Sequence, residues 1–427
     1  MYINSIKAGC IFLVFIFSKL AFSDGEPSQV SGSSSFLSSM NQILFRSTDI
    51  SLSELNLEEI RSKNLPKRLY FLPTFSLTGT MPVSDNFLTP PRSIGINSKL
   101  NLFRFGADYL GLLSSKLTEE SKKYELNSKI LIAEREAVGV LITEIQRMKE
   151  VEISSKVVQD QVNLLGIAQE RYQRGYLPFQ EVEKLMIDLE NSKASLADSK
   201  MNEAQARAQL EKYLGQFEIT LEWPWVDEFR TGRGATLIGE DFQLNQRSDW
   251  LSAQKDFQAQ EEKLNQNWRL LFPSIDAQFS YGNFSGYFGS LTGWSGTISM
   301  TIPLFDQLTS YSDAKAQIYL KMSSEVKLEK VQREARSQWE SSRANFQIAL
   351  ETALVREKTL ELSKKLYQDN LNRFQVGRMT ANDLTLDRNR MNSAERFTVQ
   401  AWAAVHLHFT ELCHSLGYRV STCISRQ

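Results

Sequence analysis

Histidine and cysteine are scarce in this chain, with three of each among 427 residues. A metal or redox centre has little to draw on. His406 and His408 stand two apart on a predicted helix and so point in different directions, and Cys413 and His414 add no zinc-like spacing. Cys413 and Cys423 lie near the C-terminal end, where an oxidising compartment permits a disulfide without compelling one. Strong charge of either sign is missing too. Forty-nine basic and 50 acidic residues leave a net charge of −1, and no basic stripe marks a nucleic-acid surface. The sequence carries no nucleophile elbow and no phosphate loop, which argues against an enzyme. Long apolar runs are equally absent. The run Ile11 to Phe17 follows Lys7 and precedes Ala21-Phe22-Ser23, the three parts of a secretory signal, and it falls far short of the ~20 residues a membrane-spanning helix needs. Cys10 precedes that run, so it is poorly placed as a lipid-attachment cysteine. Residues 1–23 are thus expected to be a signal peptide, with the mature chain starting at about Asp24. Any membrane contact made by the rest must be made by strands.

What the chain does have is an internal echo. Glu170-Arg171-Tyr172-Gln173-Arg174-Gly175 returns as Asn372-Arg373-Phe374-Gln375-Val376-Gly377, with the glycines 202 apart (377 − 175). Leu102-Phe103 returns as Leu304-Phe305, and Leu214-Gly215 as Leu416-Gly417, in the same register. Three landmarks at one spacing identify a tandem duplication.

Each copy opens with two stretches of period-two patterning. Phe75 and Leu77 alternate with Thr74, Ser76 and Thr78, and Ile94, Ile96, Leu100 and Leu102 with Asn97, Lys99 and Asn101. In the second copy Ile275, Ala277, Phe279 and Tyr281 alternate with Asp276, Gln278 and Ser280, and Trp294, Ile298, Met300 and Ile302 with serines and threonines. One apolar and one hydroxyl-rich face, over about 9–11 residues, suit a tilted strand crossing a bilayer, although a sandwich with one solvated face has the same pattern. Four such strands cannot close a barrel alone, so a lipid-facing sheet requires several chains. The segments Met81 to Ser93 and Gly282 to Gly293 read as loops. After each strand pair the pattern changes to helix. From Ala107 to Arg174 proline is absent, which predicts about 100 Å of helix. Leu141, Ile145, Met148, Val151, Val158, Val162 and Leu165 make a narrow coiled-coil stripe along it. Gly175 breaks the helix, Pro178 begins the next, and the chain returns to Leu214. The second copy predicts helices over 311–375 and 382–416, reversed at Gly377.

The domain plan is therefore a tail and short helix over 24–65, and a first repeat over 66–215 with strands at about 70–103 and a hairpin at about 106–215. A linker over 216–247 leads to a second repeat over 248–417. That repeat has a lead-in helix at about 248–271, strands at about 272–305 and a hairpin at about 310–417. Residues 418–427 form a tail. Residues 24 to about 36, rich in Ser and Gly, read as mobile, and the short helix as about Ser53 to Asn64.

Aromatic-Gln-x-Gly with an acid at Gly+6 occurs twice, as Tyr172-Gln173-Arg174-Gly175 with Glu181 and Phe374-Gln375-Val376-Gly377 with Asp383. Asn245-Gln246-Arg247-Ser248-Asp249-Trp250 precedes the second strand pair, and Leu72-Pro73-Thr74 and Phe272-Pro273-Ser274 open the strands. Together these resemble the TolC-like outer-membrane efflux proteins over about Leu65 to Gly417. The resemblance implies a homotrimer with a twelve-stranded transmembrane β-barrel in the outer membrane of a Gram-negative-type cell. That barrel would continue into a long periplasmic α-helical coiled-coil barrel, with no cofactor. It also implies docking of a periplasmic adaptor protein and, through it, an inner-membrane pump.

Site residues follow from the same resemblance. Asp383, and Asp387 behind it, are expected at a pore constriction, where threefold symmetry would make a carboxylate ring that favours cations. Asp383 also suits a plain helix-N-terminal acid held by the helix dipole. The family often has its second acid at Gly+9, a position held here by Leu386. The turns Arg174, Gly175, Tyr176, Leu177 and Gly377, Arg378, Met379 are the expected adaptor contacts, although a glycine at a reversal also serves as an ordinary C-cap. The function so implied is an exit duct for a tripartite efflux or type I secretion system. A periplasmic coiled-coil adaptor, or a structural envelope protein without a pore, are the alternatives from other classes.

Overall fold

The computed structural model describes residues 32–80, 92–214, 222–231, 242–286, 289–302 and 308–425. The expected signal segment, the first strand-pair loop and much of the linker lie outside them. Two helices come first, α1 (Gly32–Phe45) and α2 (Thr48–Arg68), followed by β1 (Thr74–Thr80) and β2 (Arg92–Phe103). The first hairpin is α3 (Ala107–Gln173) and α4 (Phe179–Leu214), and a short α5 (Val226–Arg230) lies in the linker. Then come α6 (Ser248–Arg269), β3 (Ser274–Gly286), β4 (Gly289–Thr301), the second hairpin α7 (Thr309–Gln375) and α8 (Ala381–Ser415), and α9 (Val420–Ser425).

The duplication is visible in the backbone. α3 and α7 are both 67 residues long, as the unbroken proline-free patterns require. Each starts from a left-handed residue, Gly106 (φ 80) and its counterpart Leu308 (φ 64). A leucine there costs about 1–2 kcal/mol, which the second copy tolerates. α2 and α6 occupy matching places before the strands. Thus the N-terminal helix is a full 21 residues, not the short stretch expected around Ser53 to Asn64. Ser47 stands at its N-cap and Asp49 in its first turn, although the Ser47 side chain makes no capping hydrogen bond. Nor is the whole of 24–36 a tail. Within Ser- and Gly-rich sequence, Phe36, Met40 and Ile43 recur at helical spacing and are buried, so α1 forms because it has a core to join.

The strands form one antiparallel sheet in the order β1-β2-β3-β4. Its register sorts the two faces. Leu77, Ile96, Tyr281 and Trp294 make one row across all four strands, and Ser76, Asn97, Ser280 and Ser295 make the neighbouring row on the opposite face. The segment expected as a loop over 282–293 is mostly strand, with the β3–β4 ladder running to Gly286 and Gly289. Glycine allows this, because a Cβ on Gly282 would stand 2.6 Å from the Ile94 carbonyl oxygen on β2.

The main core sits at the waist, away from the sheet. Ile142 and Ile145 of α3, Phe346 of α7, and Trp402 and Phe409 of α8 surround Phe36 of α1 and Trp225 and Phe229 of the linker. His406 is fully buried among them. Its Nδ1 faces the Trp402 carbonyl at 2.6 Å and its Nε2 the Pro224 carbonyl, tying the linker to α8. Cys413 and Cys423 are buried here as free thiols. The Leu416-Gly417 landmark has a steric basis. Gly417 adopts φ 85, and a Cβ there would meet the Gln246 carbonyl oxygen at 2.7 Å. Buried Arg247 donates to the Ser415 carbonyl at 3.0 Å and to Gln338 at 2.9 Å, locking the start of α6 to the end of α8 and the middle of α7.

Candidate functional site

Two surfaces stand out, the sheet and the hairpin tips. On the sheet, the apolar face is open to solvent in the single chain. Trp294 is 80% exposed, and Phe75, Leu77, Ile94, Phe279, Tyr281, Ile298 and Met300 are exposed beside it. The other face carries Lys99 and Asp276, 3.9 Å apart, among serines, threonines and amides. Among the described residues, β1 and β4 are free edges.

At the other end, the helices reverse through two copies of one motif. In the first, Gly175 N–H donates to the Tyr172 carbonyl and Tyr176 N–H to the Arg171 carbonyl, both at 2.9 Å. In the second, Gly377 N–H donates to the Phe374 carbonyl and Arg378 N–H to the Arg373 carbonyl, again at 2.9 Å. Gly175 and Gly377 sit at φ 75 and φ 81, so each closes a helix with the left-handed turn only glycine adopts freely. Arg174, Tyr176 and Arg378 stand exposed at these turns. Leu177 and Met379 are half-buried and fold back onto a small core of Leu164, Ala168, Val182, Leu185, Phe374 and Leu384.

The two acids occupy different surroundings. Asp383 is exposed in the first turn of α8, where its N–H donates to the Thr380 hydroxyl at 3.2 Å and its carboxylate accepts from that hydroxyl at 2.7 Å. This is an N-cap in which the Asp383 carboxylate also holds the capping hydroxyl. Asp387 is buried. One of its oxygens accepts from Asn370 at 2.6 Å and the other from Arg390 at 3.1 Å, so its carboxylate binds α8 to α7. Glu181, the repeat counterpart of Asp383, lies 3.9 Å from Lys184.

Two side chains that join the tip helices escaped the sequence reading. Arg171, at the end of α3, donates to the Phe374 carbonyl at 2.9 Å and lies 5.0 Å over the Phe374 ring, joining the two tips. Its signal is present in the sequence, since an arginine stands four residues before the turn glycine in both copies. Arg388 of α8 is buried where all four tip helices meet. Burial lowers its pKa against the opposing pull of Tyr367 on α7, Asp188 on α4 and Asp160 on α3. Its Nε and Nη1 have no hydrogen-bond partner among the described residues. Only the packing of four helices assembles this cluster, so no local pattern announces it.

Residues 243–418 match the family model described as outer membrane efflux protein. That segment belongs to the outer membrane efflux protein family. It spans the second repeat with its lead-in helix, and the first repeat is its duplicate in sequence and backbone. No curated protein sequence matches the chain. Solved structures do match. CusC, a transmembrane channel, aligns with TM-score 0.76 at 14% identity, covering 92% of this chain and 96% of its own. VceC, an outer membrane protein of Vibrio cholerae, gives 0.75 at 14%, over 90% and 96%. The MtrE outer membrane channel of Neisseria gonorrhoeae, in its open state, gives 0.74 at 16%, over 90% and 89%. At these identities the likeness establishes the fold, over nearly the whole length of each chain. The fold expected from the duplicated strand and hairpin pattern is the one found.

Proposed function

We propose that the chain is one subunit of a homotrimeric duct in the outer membrane of a Gram-negative-type cell. It serves as the exit stage of a tripartite efflux or type I secretion assembly. The observation that carries this reading is the sheet, which is apolar on an exposed face, polar on the other, and open at both edges. Lipid tolerates no unpaired strand edge, so copies must close the sheet together, and three give twelve strands. The polar face then lines water, and the helical hairpins extend that passage into the periplasm. Transport is passive, and the chain performs no catalytic step.

The tips are the docking end. Exposed Arg174, Tyr176 and Arg378, set by Gly175 and Gly377 and backed by Leu177 and Met379, receive a periplasmic adaptor protein that links the duct to an inner-membrane pump. Asp383, exposed at the start of α8, recurs three times around the trimer axis and favours cations at the constriction. Asp387 supports that constriction by holding α8 against α7.

Light scattering of the detergent-extracted protein, corrected for bound detergent, tests the first claim. A trimer is expected, and a monomer that needs no detergent would instead favour a soluble adaptor or a structural envelope protein. Planar-bilayer conductance tests the second, where Asp383→Ala is expected to weaken cation selectivity. Selectivity unchanged in that variant would remove Asp383 from the passage.

A further inference from the structure

Arg171 and Arg373 hold the same position in the two copies, yet within one chain their surroundings differ. Arg171 is half-buried, donates to the Phe374 carbonyl and covers the Phe374 ring. Its Nη2 lies 3.2 Å from where a Cβ on Gly377 would stand. Around Gly175 the backbone is the same, and Tyr172, the counterpart of Phe374, offers the same aromatic ring and carbonyl. Nothing lies within 4 Å of the equivalent point there. Tyr172 is exposed, and so is Arg373.

The order of helices says what would fill the space. Towards the tips, α3 packs against α8, leaving α4 and α7 on the outer flanks. Under the duplication α3 corresponds to α7 and α8 to α4. The copy of the α3–α8 seam is therefore a seam between α7 of one chain and α4 of another. Residues on α7 bear this out. Leu164 and Ile153 of α3 are 2% and 4% exposed, whereas their counterparts Leu366 and Val355 are 47% and 64% exposed.

We propose that Arg373 completes the first tip of the next copy of this chain. Its guanidinium donates to the carbonyl of Tyr172 of the partner subunit and lies over that ring, beside Gly175 of the partner subunit. A cation at a helix C-terminus is favoured by the dipole and satisfies a carbonyl there. Around a closed trimer, Arg171 contacts within chains alternate with Arg373 contacts between chains, so that both kinds of tip are latched alike. This inference rests on the trimeric reading.

The test uses full-length protein in membranes, with two differently tagged copies expressed together, one carrying Arg373→Cys and the other Tyr172→Cys. Treatment with a short bis-thiol cross-linker is expected to give a denaturant-resistant dimer bearing both tags, and neither variant expressed alone should give one. A trimer by mass that yields no mixed-tag dimer overturns the contact and leaves the trimer standing. A monomer by mass overturns both. As a readout without cysteine, Arg373→Ala should lower the temperature at which the trimer dissociates, and Arg373→Lys should recover part of that loss. No change in Arg373→Ala would also count against the contact.

Discussion

At the scale of single residues, burial sets the chemistry of several acids that look ordinary in the sequence. Glu144 on α3 holds the place that Phe346 holds in the second copy. It is buried, and one carboxylate oxygen has no partner among the described residues. Burial first, and then the nearby Glu203, push its pKa up to about 7. A raised acid pKa means that the folded state holds the proton more tightly than the unfolded chain. The associated stability is therefore present below about 4.5 and is lost as pH rises to about 7. Glu144→Gln should remove that loss, making the variant more stable at pH 8 by on the order of 2–3 kcal/mol and flattening the melting temperature between pH 5 and 8. An unchanged pH profile would mean that Glu144 is solvated. The same logic with opposite sign applies to His414, which burial and the charges of Arg247 and Arg135 lower to about 4. Glu144 could not be singled out from sequence, because the stripe Leu141, Ile145, Met148 passes over it without a break. Arg388 was hidden for a related reason, its neighbours being drawn from three other helices.

Among elements, legibility followed periodicity. The long helices could be placed within a few residues because proline is absent and an apolar stripe persists over many turns, and their ends because glycine marks the turn. α1 and α2 give weaker signals, α1 being short and Ser-rich and α2 containing Pro66. α1 is held by three apolar side chains docked at the waist, a tertiary effect that overrides Ser- and Gly-rich composition. The strands were legible by alternation, but β3 and β4 extend further than expected, Gly282 serving close approach to β2 rather than a loop. At the tips, the start of α8 depends on Thr380, whose hydroxyl caps the Asp383 N–H. Thr380→Ala should cost about 1 kcal/mol and speed amide exchange in the first turn of α8, while the first turn of α4 is unchanged. Equal exchange in variant and parent would show that packing by Leu384 alone holds that end.

For the molecule as a whole, the sheet and the waist obey different rules. The waist core is complete within one chain, whereas the sheet has neither its edges nor its apolar face covered. Ile298→Arg, on the apolar face, should cost about 2–4 kcal/mol near the midplane of a bilayer and reduce the amount of protein recovered in the outer membrane. Ser295→Arg, on the opposite face, should leave recovery unchanged and alter conductance instead. Equal recovery of the two variants would contradict the assignment of faces. Because each chain can finish its waist core alone but neither its sheet nor the outer flanks of its hairpins, folding of a trimeric duct would have a built-in sequence of events. The waist would form first, copies would gather next, and entry into lipid would come last. A defect at Trp402 or Phe409 would then show up as failed insertion, even though neither side chain lies anywhere near the membrane.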